Sequence, residues 1–167
     1  DCTHVILLQG DEPLLLPRHI QSMVNAISSN QNGYAWNATG PIELFDELDR
    51  SSFVKCVISK TGRIMHCFRR TPGFSALSKQ QSFVRKILGI IAYRKDFLRK
   101  LTQVVASPIE LAEFIEQMRI LENNWVLQSV PVTPSLPSVN EPHEADIILE
   151  YIDSSEEQSK ILTSIIG

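Results

Sequence analysis

Short apolar runs alternate along this chain with stretches in which apolar residues recur every three or four positions. The first run, Val5–Gln9, has the unbroken Val/Ile/Leu character of a strand buried on both faces. After the polar turn Gly10–Pro13, the spacing of apolar residues over Arg18–Ser28 predicts a helix with one core-facing side, with Pro17 in its first turn. The order strand, turn, helix is half of a βαβ unit.

The same alternation continues to the end of the chain. Strands followed by helices predict an α/β fold, with a mostly parallel sheet and helices on both faces. The further predicted elements are a strand near Tyr34–Thr39, a short helix near Glu43–Leu48, a hairpin of Phe53–Ser59 and Arg63–Phe68, a loop over Arg69–Gln80, a strand at Lys86–Tyr93, a helix at Asp96–Val104, a strand at Trp125–Val132 and a terminal helix from about Pro142.

The clearest helix start lies at Ser107. Ser107 and Glu110 have the spacing of a capping box, and Pro108 occupies the first helical position. We expect one continuous helix from here to Asn123, with a core-facing stripe formed by Leu111, Phe114, Ile115, Met118 and Leu121.

Composition places the 167 residues in a single globular domain, since 43% are hydrophobic and 21% charged. The net charge of −3 and the lack of basic stretches alternating with aromatics argue against a nucleic-acid binder. No apolar run is long enough to span a bilayer. Cys2, Cys56 and Cys67, an odd number without a CxxC pair, indicate reduced thiols in a cytoplasmic protein. The four histidines are scattered, without metal-ligand spacing.

Two places could carry chemistry. Asp11 follows a strand and stands beside Gly10, which permits close approach of a ligand, so its carboxylate suits a Mg²⁺ site. It equally suits a turn cap, and both interpretations remain open. Glu116 and Arg119 are three residues apart on the predicted helix, a spacing more typical of a solvated ion pair than of a site.

Collinear motifs along nearly the whole chain resemble the 3-deoxy-manno-octulosonate cytidylyltransferases (CMP-KDO synthetases). Gln9-Gly10-Asp11-Glu12-Pro13 is similar to the family's QGDEP signature. The other similar segments are Phe53–Val57 to VKVV, Phe68–Pro72 to FSRSP, Leu88–Arg94 to IGIYAYR, Ser107-Pro108 with Ile115–Asn123 to SPLE and LEQLRxLEN, and Pro137–Pro142 to PGVDTPED.

The resemblance implies a nucleotide-diphospho-sugar transferase-like fold and transfer of CMP from CTP to a 3-deoxy sugar acid, releasing pyrophosphate, in a lipopolysaccharide pathway. Mg²⁺ would be the cofactor. It further implies a homodimer formed through a hairpin region at about residues 41–85. The implied roles are metal ligation by Asp11, which is also the catalytic candidate, and by Asn140, and substrate binding by Gln9, Gly10, Arg70, Glu116 and Gln117.

Departures from the family pattern favour a second hypothesis. The family's second metal ligand, an aspartate, is Asn140 here, and a His and a Tyr of the family strand are Ile87 and Ile91. These changes fit a non-catalytic relative that binds a sugar acid or nucleotide, or serves in assembly. A divergent nucleotidyltransferase that uses another nucleotide is the third alternative.

The family's opening loop, which contains glycine and arginine and cradles the triphosphate, has no counterpart in these residues. We therefore expect residues before Asp1 or a second chain to complete the sheet beside Val5–Gln9. For the same reason, we expect this chain by itself neither to bind CTP tightly nor to complete the reaction.

Overall fold

A computed structural model describes residues 2–71 and 76–166. Its strands are β1 His4–Leu8, β2 Ala35–Gly40, β3 Lys55–Ile58, β4 Ile64–Phe68, β5 Val84–Arg94 and β6 Leu127–Pro131. These six strands form one sheet in the order β4-β3-β5-β2-β6, with β1 paired to β5 beside this path.

The sheet is mixed, which corrects the expectation of a mostly parallel one. Only β2 and β6 run parallel, and every other strand pair among the described residues is antiparallel. The reason is β5, the longest strand, which runs antiparallel to each of its three neighbours. β1, expected to be a central strand, pairs within the described residues only with β5.

Helices cover both faces of the sheet, and the α/β class is confirmed. Alternate residues of β2 and β5 enter two separate clusters. Ala35 and Ile91 lie with Phe97 of the helix Lys95–Leu101, whereas Trp36 lies with Met23 of the helix Pro17–Ser29. The helices are α1 Pro17–Ser29, α2 Leu77–Gln80, α3 Lys95–Leu101, α4 Pro108–Glu113, α5 Gln117–Glu122, α6 Glu144–Ser154 and α7 Glu156–Ile166, with a 3-10 turn at Phe45–Leu48.

Most of the predicted elements are confirmed within a few residues, including the hairpin, now β3 and β4. Three predicted segments need correction. The predicted loop Arg69–Gln80 ends in the short helix α2, and its residues 72–75, with Pro72, lie outside the described residues. The terminal helix is two helices, α6 and α7, separated at Ser155, which has an extended backbone.

The helix predicted from Ser107 to Asn123 is also two helices, because Phe114 adopts a left-handed conformation with φ 55°. The predicted apolar stripe is therefore only half correct. Ile115 and Met118 are 1% and 2% exposed, whereas Leu111 and Phe114 are 62% and 81% exposed. The start of the helix is as predicted, since the Glu110 carboxylate accepts a hydrogen bond from the Ser107 N–H.

Arg69 explains where the helix breaks. Its guanidinium donates to the carbonyl oxygens of Glu113 at 2.8 Å and Phe114 at 3.2 Å, and to that of Ser51 at 2.9 Å. A continuous helix would commit the Glu113 carbonyl to the N–H four residues later. The side chain of Arg69 takes its place, so the backbone turns at Phe114 without leaving this carbonyl unpaired.

Replacing Phe114 by glycine should stabilise the protein by about 1 kcal/mol, because glycine adopts positive φ without the penalty of a Cβ and the exposed ring contributes little packing. Leu111→Gly is the matched control: Leu111 is also exposed but lies inside α4, so glycine should destabilise by about 1 kcal/mol. Urea unfolding measures both. Equal destabilisation by the two substitutions would contradict the left-handed turn at Phe114.

Candidate functional site

A cleft of about 450 Å³ opens where β1 and β3 separate along the same edge of β5. β1 ends beside Ile90, and β3 begins beside Lys86, so the residues of β5 between these points face a gap. β1 reaches this gap with its carboxyl end, and ligands of open α/β sheets bind outside the carboxyl ends of strands. We call the space lined by these residues of β5 and by the loops around them the cleft.

The cleft brings together most of the side chains predicted for the site. The predicted residues that line it are Gln9, Asp11, Glu116, Gln117 and Asn140. Gly10 and Arg70 are not among the lining residues, and Arg70 is exposed. The neighbouring Arg69 lines the cleft instead, although most of its hydrogen-bonding capacity is used on backbone carbonyls.

Gly89 lets the QGDEP segment lie directly against β5. The Gln9 N–H donates to the Gly89 carbonyl at 2.8 Å, and the Gly89 N–H donates to a Glu12 carboxylate oxygen at 2.7 Å. A Cβ on Gly89 would lie 2.8 Å from Gln9 Oε1 and 2.8 Å from Glu12 Cγ. Position 89 therefore has no room for a side chain while Gln9 and Glu12 keep their places.

Glu116 and Gln117 share the cleft with Gln9, as predicted. Gln9 Nε2 lies 3.5 Å from a Glu116 carboxylate oxygen. Gln117 is 7% exposed, and its amide donates to Asn37 Oδ1 at 3.0 Å. Asn37 in turn donates to the Leu88 carbonyl at 2.9 Å, so part of the hydrogen-bonding capacity of Gln117 connects α5 to the sheet.

Arg119 does not pair with Glu116, which corrects the expectation of an i,i+3 ion pair. Its guanidinium makes two hydrogen bonds to the Glu110 carboxylate, one of them at 2.7 Å from Nε. The break at Phe114 folds α4 and α5 against each other and brings Glu110 within reach. Glu116 is left beside Gln9 in the cleft.

Asp11 and Asn140 lie on neighbouring segments. The Val139 N–H donates to the Asp11 carbonyl at 2.9 Å, which joins the loop before α6 to the QGDEP segment. Both side chains line the cleft. The Asn140 amide donates to the Ser138 hydroxyl at 2.9 Å, and this bond leaves its Oδ1 uncommitted among the hydrogen bonds of the described residues.

The sequence did not predict two buried carboxylates that bind backbone N–H groups in the loops of the cleft. Glu144 accepts the N–H groups of Asn140 at 2.6 Å and Glu141 at 2.9 Å, and pairs with Arg50 at 2.7 Å. Burial disfavours its charge, but these donors outweigh burial and hold the pKa of Glu144 below its ordinary value.

Glu47 repeats the arrangement on the other side of the cleft. It accepts the N–H groups of Glu43 at 2.7 Å and Leu44 at 3.0 Å and pairs with Lys86 at 2.6 Å. The pKa of Glu47 is again lowered, because these contacts outweigh the opposing effect of burial. One sequence signal could have located both carboxylates. Each belongs to a glutamate three residues after a loop position, which is the spacing of a capping box.

The lining of the cleft is acidic. Seven carboxylate residues line it against three cationic ones, Arg50, Arg69 and Lys86. The three cations are already engaged by Glu144, by backbone carbonyls and by Glu47. Five carboxylate residues line the cleft without an ion pair among the described residues: Asp11, Glu12, Glu43, Asp46 and Glu116. Such an excess of negative charge attracts cations.

Two of the departures from the family pattern occupy different environments. Ile87 lines the cleft, whereas Ile91 is 2% exposed and belongs to the core beneath α3 and α5. Position 91 therefore lies away from the space that a ligand would occupy. Of these two changes, the one at position 87 alters the surface of the cleft, as does Asn140.

Fold and cleft together define an α/β protein with a candidate ligand site in the gap between β1 and β3. The chain belongs to the cytidylyltransferase family, whose model matches residues 1–130. Its fold is that of a solved structure of CMP:2-keto-3-deoxy-manno-octonic acid synthetase complexed with CTP, with a TM-score of 0.81 at 23% identity, covering 92% of this chain and 63% of that one.

Curated relatives named 3-deoxy-manno-octulosonate cytidylyltransferase are similar over most of the chain. The relative from Chlorobium limicola is 28% identical over 150 residues, which cover 89% of this chain and 61% of the relative. Those from Synechococcus elongatus and Fusobacterium nucleatum are each 26% identical, covering 84% and 89% of this chain. The chain spans 57% and 60% of their lengths.

Two kinds of feature are absent from residues 2–71 and 76–166, which the structure describes. No helix there is long and apolar enough to cross a membrane. Nor does that part of the chain contain a group of three or more His, Cys, Asp or Glu side chains placed to hold a metal ion. Magnesium requires only one or two protein carboxylates. The lack of a larger group therefore does not decide whether Asp11 and Asn140 bind Mg²⁺, and this pair stays a prediction.

Gly89→Ala should destabilise the protein by about 1–3 kcal/mol, because the new methyl group overlaps Gln9 and Glu12. Gly10→Ala is the matched control. A Cβ at Gly10 meets no atom within 4 Å, so stability should change by no more than about 0.5 kcal/mol. Urea unfolding of the two variants measures the difference. A neutral Gly89→Ala would mean that Gln9 does not rest on this strand.

Glu12 should make stability depend on pH. Burial, aided by the nearby Asp11 carboxylate, raises the pKa of Glu12 despite the Gly89 N–H and Lys86. Below its ordinary pKa both folded and unfolded states hold the proton. As the pH rises through that value the unfolded state ionises first, so folding loses stability until the raised pKa is passed.

Glu12→Gln removes this titration but keeps an oxygen that can accept the Gly89 N–H. The variant and the parent chain should have similar urea midpoints at acidic pH, and the variant should become the more stable of the two towards neutral pH. A parent chain that gains stability relative to the variant over that range would show that the carboxylate is stabilised in the cleft.

Proposed function

We propose that this chain forms the sugar-acid side of a cytidylyltransferase site that transfers CMP from CTP to a 3-deoxy sugar acid of the KDO type, with release of pyrophosphate. The observation that carries the proposal is the convergence of Gln9, Asp11, Glu116 and Gln117 on one cleft in a member of this family. The names of the curated relatives and the CTP bound to the structural relative support the choice of substrates.

Magnesium is the cation that we propose for the cleft. The Asp11 carboxylate and the free Oδ1 of Asn140 are hard oxygen donors on adjoining segments, as Mg²⁺ prefers. The unpaired acidic groups around them favour a cation electrostatically. When bound, Mg²⁺ would neutralise charge on the phosphate oxygens of CTP.

The residues of this chain would act mainly by positioning. Gln9 and Glu116 lie 3.5 Å apart and can present an amide and a carboxylate to the hydroxyl groups of a sugar acid. Gln117, held by Asn37, would contribute a further amide oxygen from a fixed position. Orientation of the attacking anomeric hydroxyl is a large part of catalysis in phosphoryl transfer, since little covalent chemistry falls to the protein.

A non-catalytic, ligand-binding relative is the second candidate. Asn140 brings no charge to the proposed metal site, and Ile87 places an apolar side chain in the cleft wall. The acidic lining also disfavours a bare triphosphate. We therefore keep the expectation that these 167 residues alone bind CTP weakly.

The test measures pyrophosphate release from CTP and Mg²⁺ with a panel of 3-deoxy sugar acids, using the protein as it is expressed from its gene and, separately, the 167-residue chain. Release that requires KDO or a close analogue, from the expressed protein, supports the transferase. Calorimetric binding of the sugar acid without pyrophosphate release supports the non-catalytic relative. Micromolar CTP affinity of the 167-residue chain would contradict our expectation of weak binding.

Asn140→Asp should strengthen Mg²⁺ binding roughly tenfold, because a charged ligand replaces a neutral one and such a gain requires only about 1.4 kcal/mol. Calorimetric titration with Mg²⁺ measures the change. Asn25→Asp is the control, since it adds the same charge at an exposed position on α1. Equal or weaker affinity in the Asn140 variant would mean that this side chain does not contact the metal.

We propose further that the protein is a homodimer formed through residues 41–85. The support from the structure is that Leu44, Phe45 and Met65 in this region are 62%, 54% and 54% exposed. Light scattering across a range of concentrations measures the mass. Met65→Glu should weaken a dimer formed by this region, and an unchanged mass distribution in that variant would place the contact elsewhere.

A further inference from the structure

Cys56 and Cys67 lie directly opposite each other in the β3–β4 hairpin. They are cross-strand partners in the antiparallel register, between the pairs Lys55–Phe68 and Val57–His66. Side chains of directly opposed residues project from the same face of a sheet. Both thiols belong to the same core cluster, and both residues are 0% exposed. The two sulfur atoms are therefore neighbours in the core, although nothing in the spacing of the three cysteines indicated a pair.

The backbone of such a pair is compatible with a disulfide. Directly opposed residues in antiparallel strands have Cα atoms about 4.5 Å or about 5.5 Å apart, depending on which kind of pair they form. Disulfides accept Cα separations of about 4.4–6.8 Å, so both possibilities fall within the range. The third cysteine, Cys2, is exposed and lies before the first residue of β1.

We propose that Cys56 and Cys67 form an oxidisable dithiol whose disulfide fits the native register of the hairpin. The oxidant is a low-molecular-weight disulfide. One thiol loses its proton and attacks that disulfide, giving a mixed disulfide and one small thiolate. The other cysteine then loses its proton and attacks the protein sulfur of the mixed disulfide, so the protein disulfide forms and the second small thiolate leaves. Two cysteines are oxidised, and the small disulfide is reduced to two thiols.

Burial makes this reaction slow in the closed hairpin. Desolvation raises the pKa of Cys56 to about 12 and that of Cys67 well above its ordinary value, so little thiolate exists at neutral pH. Oxidation therefore follows local opening of β3 and β4. The rate should rise in concentrations of urea that leave the protein folded, because such conditions increase the open population.

Hydrogen bonds connect the hairpin to residues that line the cleft. Lys55, next to Cys56, is 0% exposed, and its ammonium donates to the carbonyl of Arg50 at 2.7 Å and to that of Arg69. Arg50 and Arg69 line the cleft. A disulfide between Cys56 and Cys67 would hold together the strands that carry these contacts. The inference about the dithiol does not depend on the proposed function.

Geometry is tested first, with the Cys2→Ser variant so that only two thiols remain. The disulfide is formed in the urea-unfolded chain and the urea is then removed. We expect the oxidised protein to regain the near-ultraviolet circular dichroism of the reduced protein and to unfold at a higher urea concentration. Failure to regain that spectrum, or a lower midpoint, would overturn the proposal, because the native register would then be incompatible with the bond.

Formation in the folded protein is tested second. The same variant is incubated with oxidised glutathione at urea concentrations below its unfolding transition. We expect loss of the mass of two hydrogen atoms and a linked peptide containing Cys56 and Cys67. The Cys2→Ser, Cys67→Ser double variant, with one thiol, should stop at the glutathione adduct. A Cys2→Ser protein that gives only adducts, or remains fully reduced, would overturn the proposal.

Discussion

The pairing of β5 with three other strands is the constraint on which the rest of this structure depends. One edge of β5 is shared by β1 and β3, which leave a gap between them, and the opposite edge is occupied by β2. The cleft is that gap. Because Gly89 lies within it, the QGDEP segment can rest directly on the strand and carry Gln9 and Asp11 to the opening.

Buried carboxylates then determine the shape of the opening. Glu47 and Glu144 each bind two backbone N–H groups of a loop and one cation of the cleft lining. A buried charge is tolerated when its partners are arranged around it in this way. The arrangement neutralises Arg50 and Lys86 within the protein, so the remaining acidic groups, Asp11 and Glu116 among them, give the cleft its negative character.

That negative character is consistent with both functions considered for the chain. A site that works with Mg²⁺ benefits from carboxylates, while a triphosphate requires the metal or further cationic groups before it can approach. Family membership and the fold are established by the match over residues 1–130 and by the structural relative. The chemistry belongs to the site, and of the three departures that the resemblance implies, Asn140 and Ile87 line the cleft whereas Ile91 does not.

The amino-acid sequence by itself determined most of the local elements, and five of the seven residues predicted for the site line the cleft, whereas Gly10 and Arg70 do not. Apolar periodicity and turn residues located β1, β2, β5, β6 and the hairpin, because these signals act between residues close in the chain. The collinear motifs identified Gln9, Asp11, Glu116, Gln117 and Asn140, all of which line one cleft.

Only the tertiary structure decided the features that depend on residues distant in the chain. The apolar pattern of a strand does not specify the direction of its partner, so the mixed sheet could not be derived from it. The helix breaks at Phe114, where Arg69 from the end of the hairpin binds the local carbonyls. Arg119 pairs with Glu110, rather than with Glu116, because that break folds α4 against α5. Each of these outcomes results from hydrogen bonds or ion pairs between segments distant in the chain. The energy of these contacts exceeds the weak local conformational preferences of the residues involved.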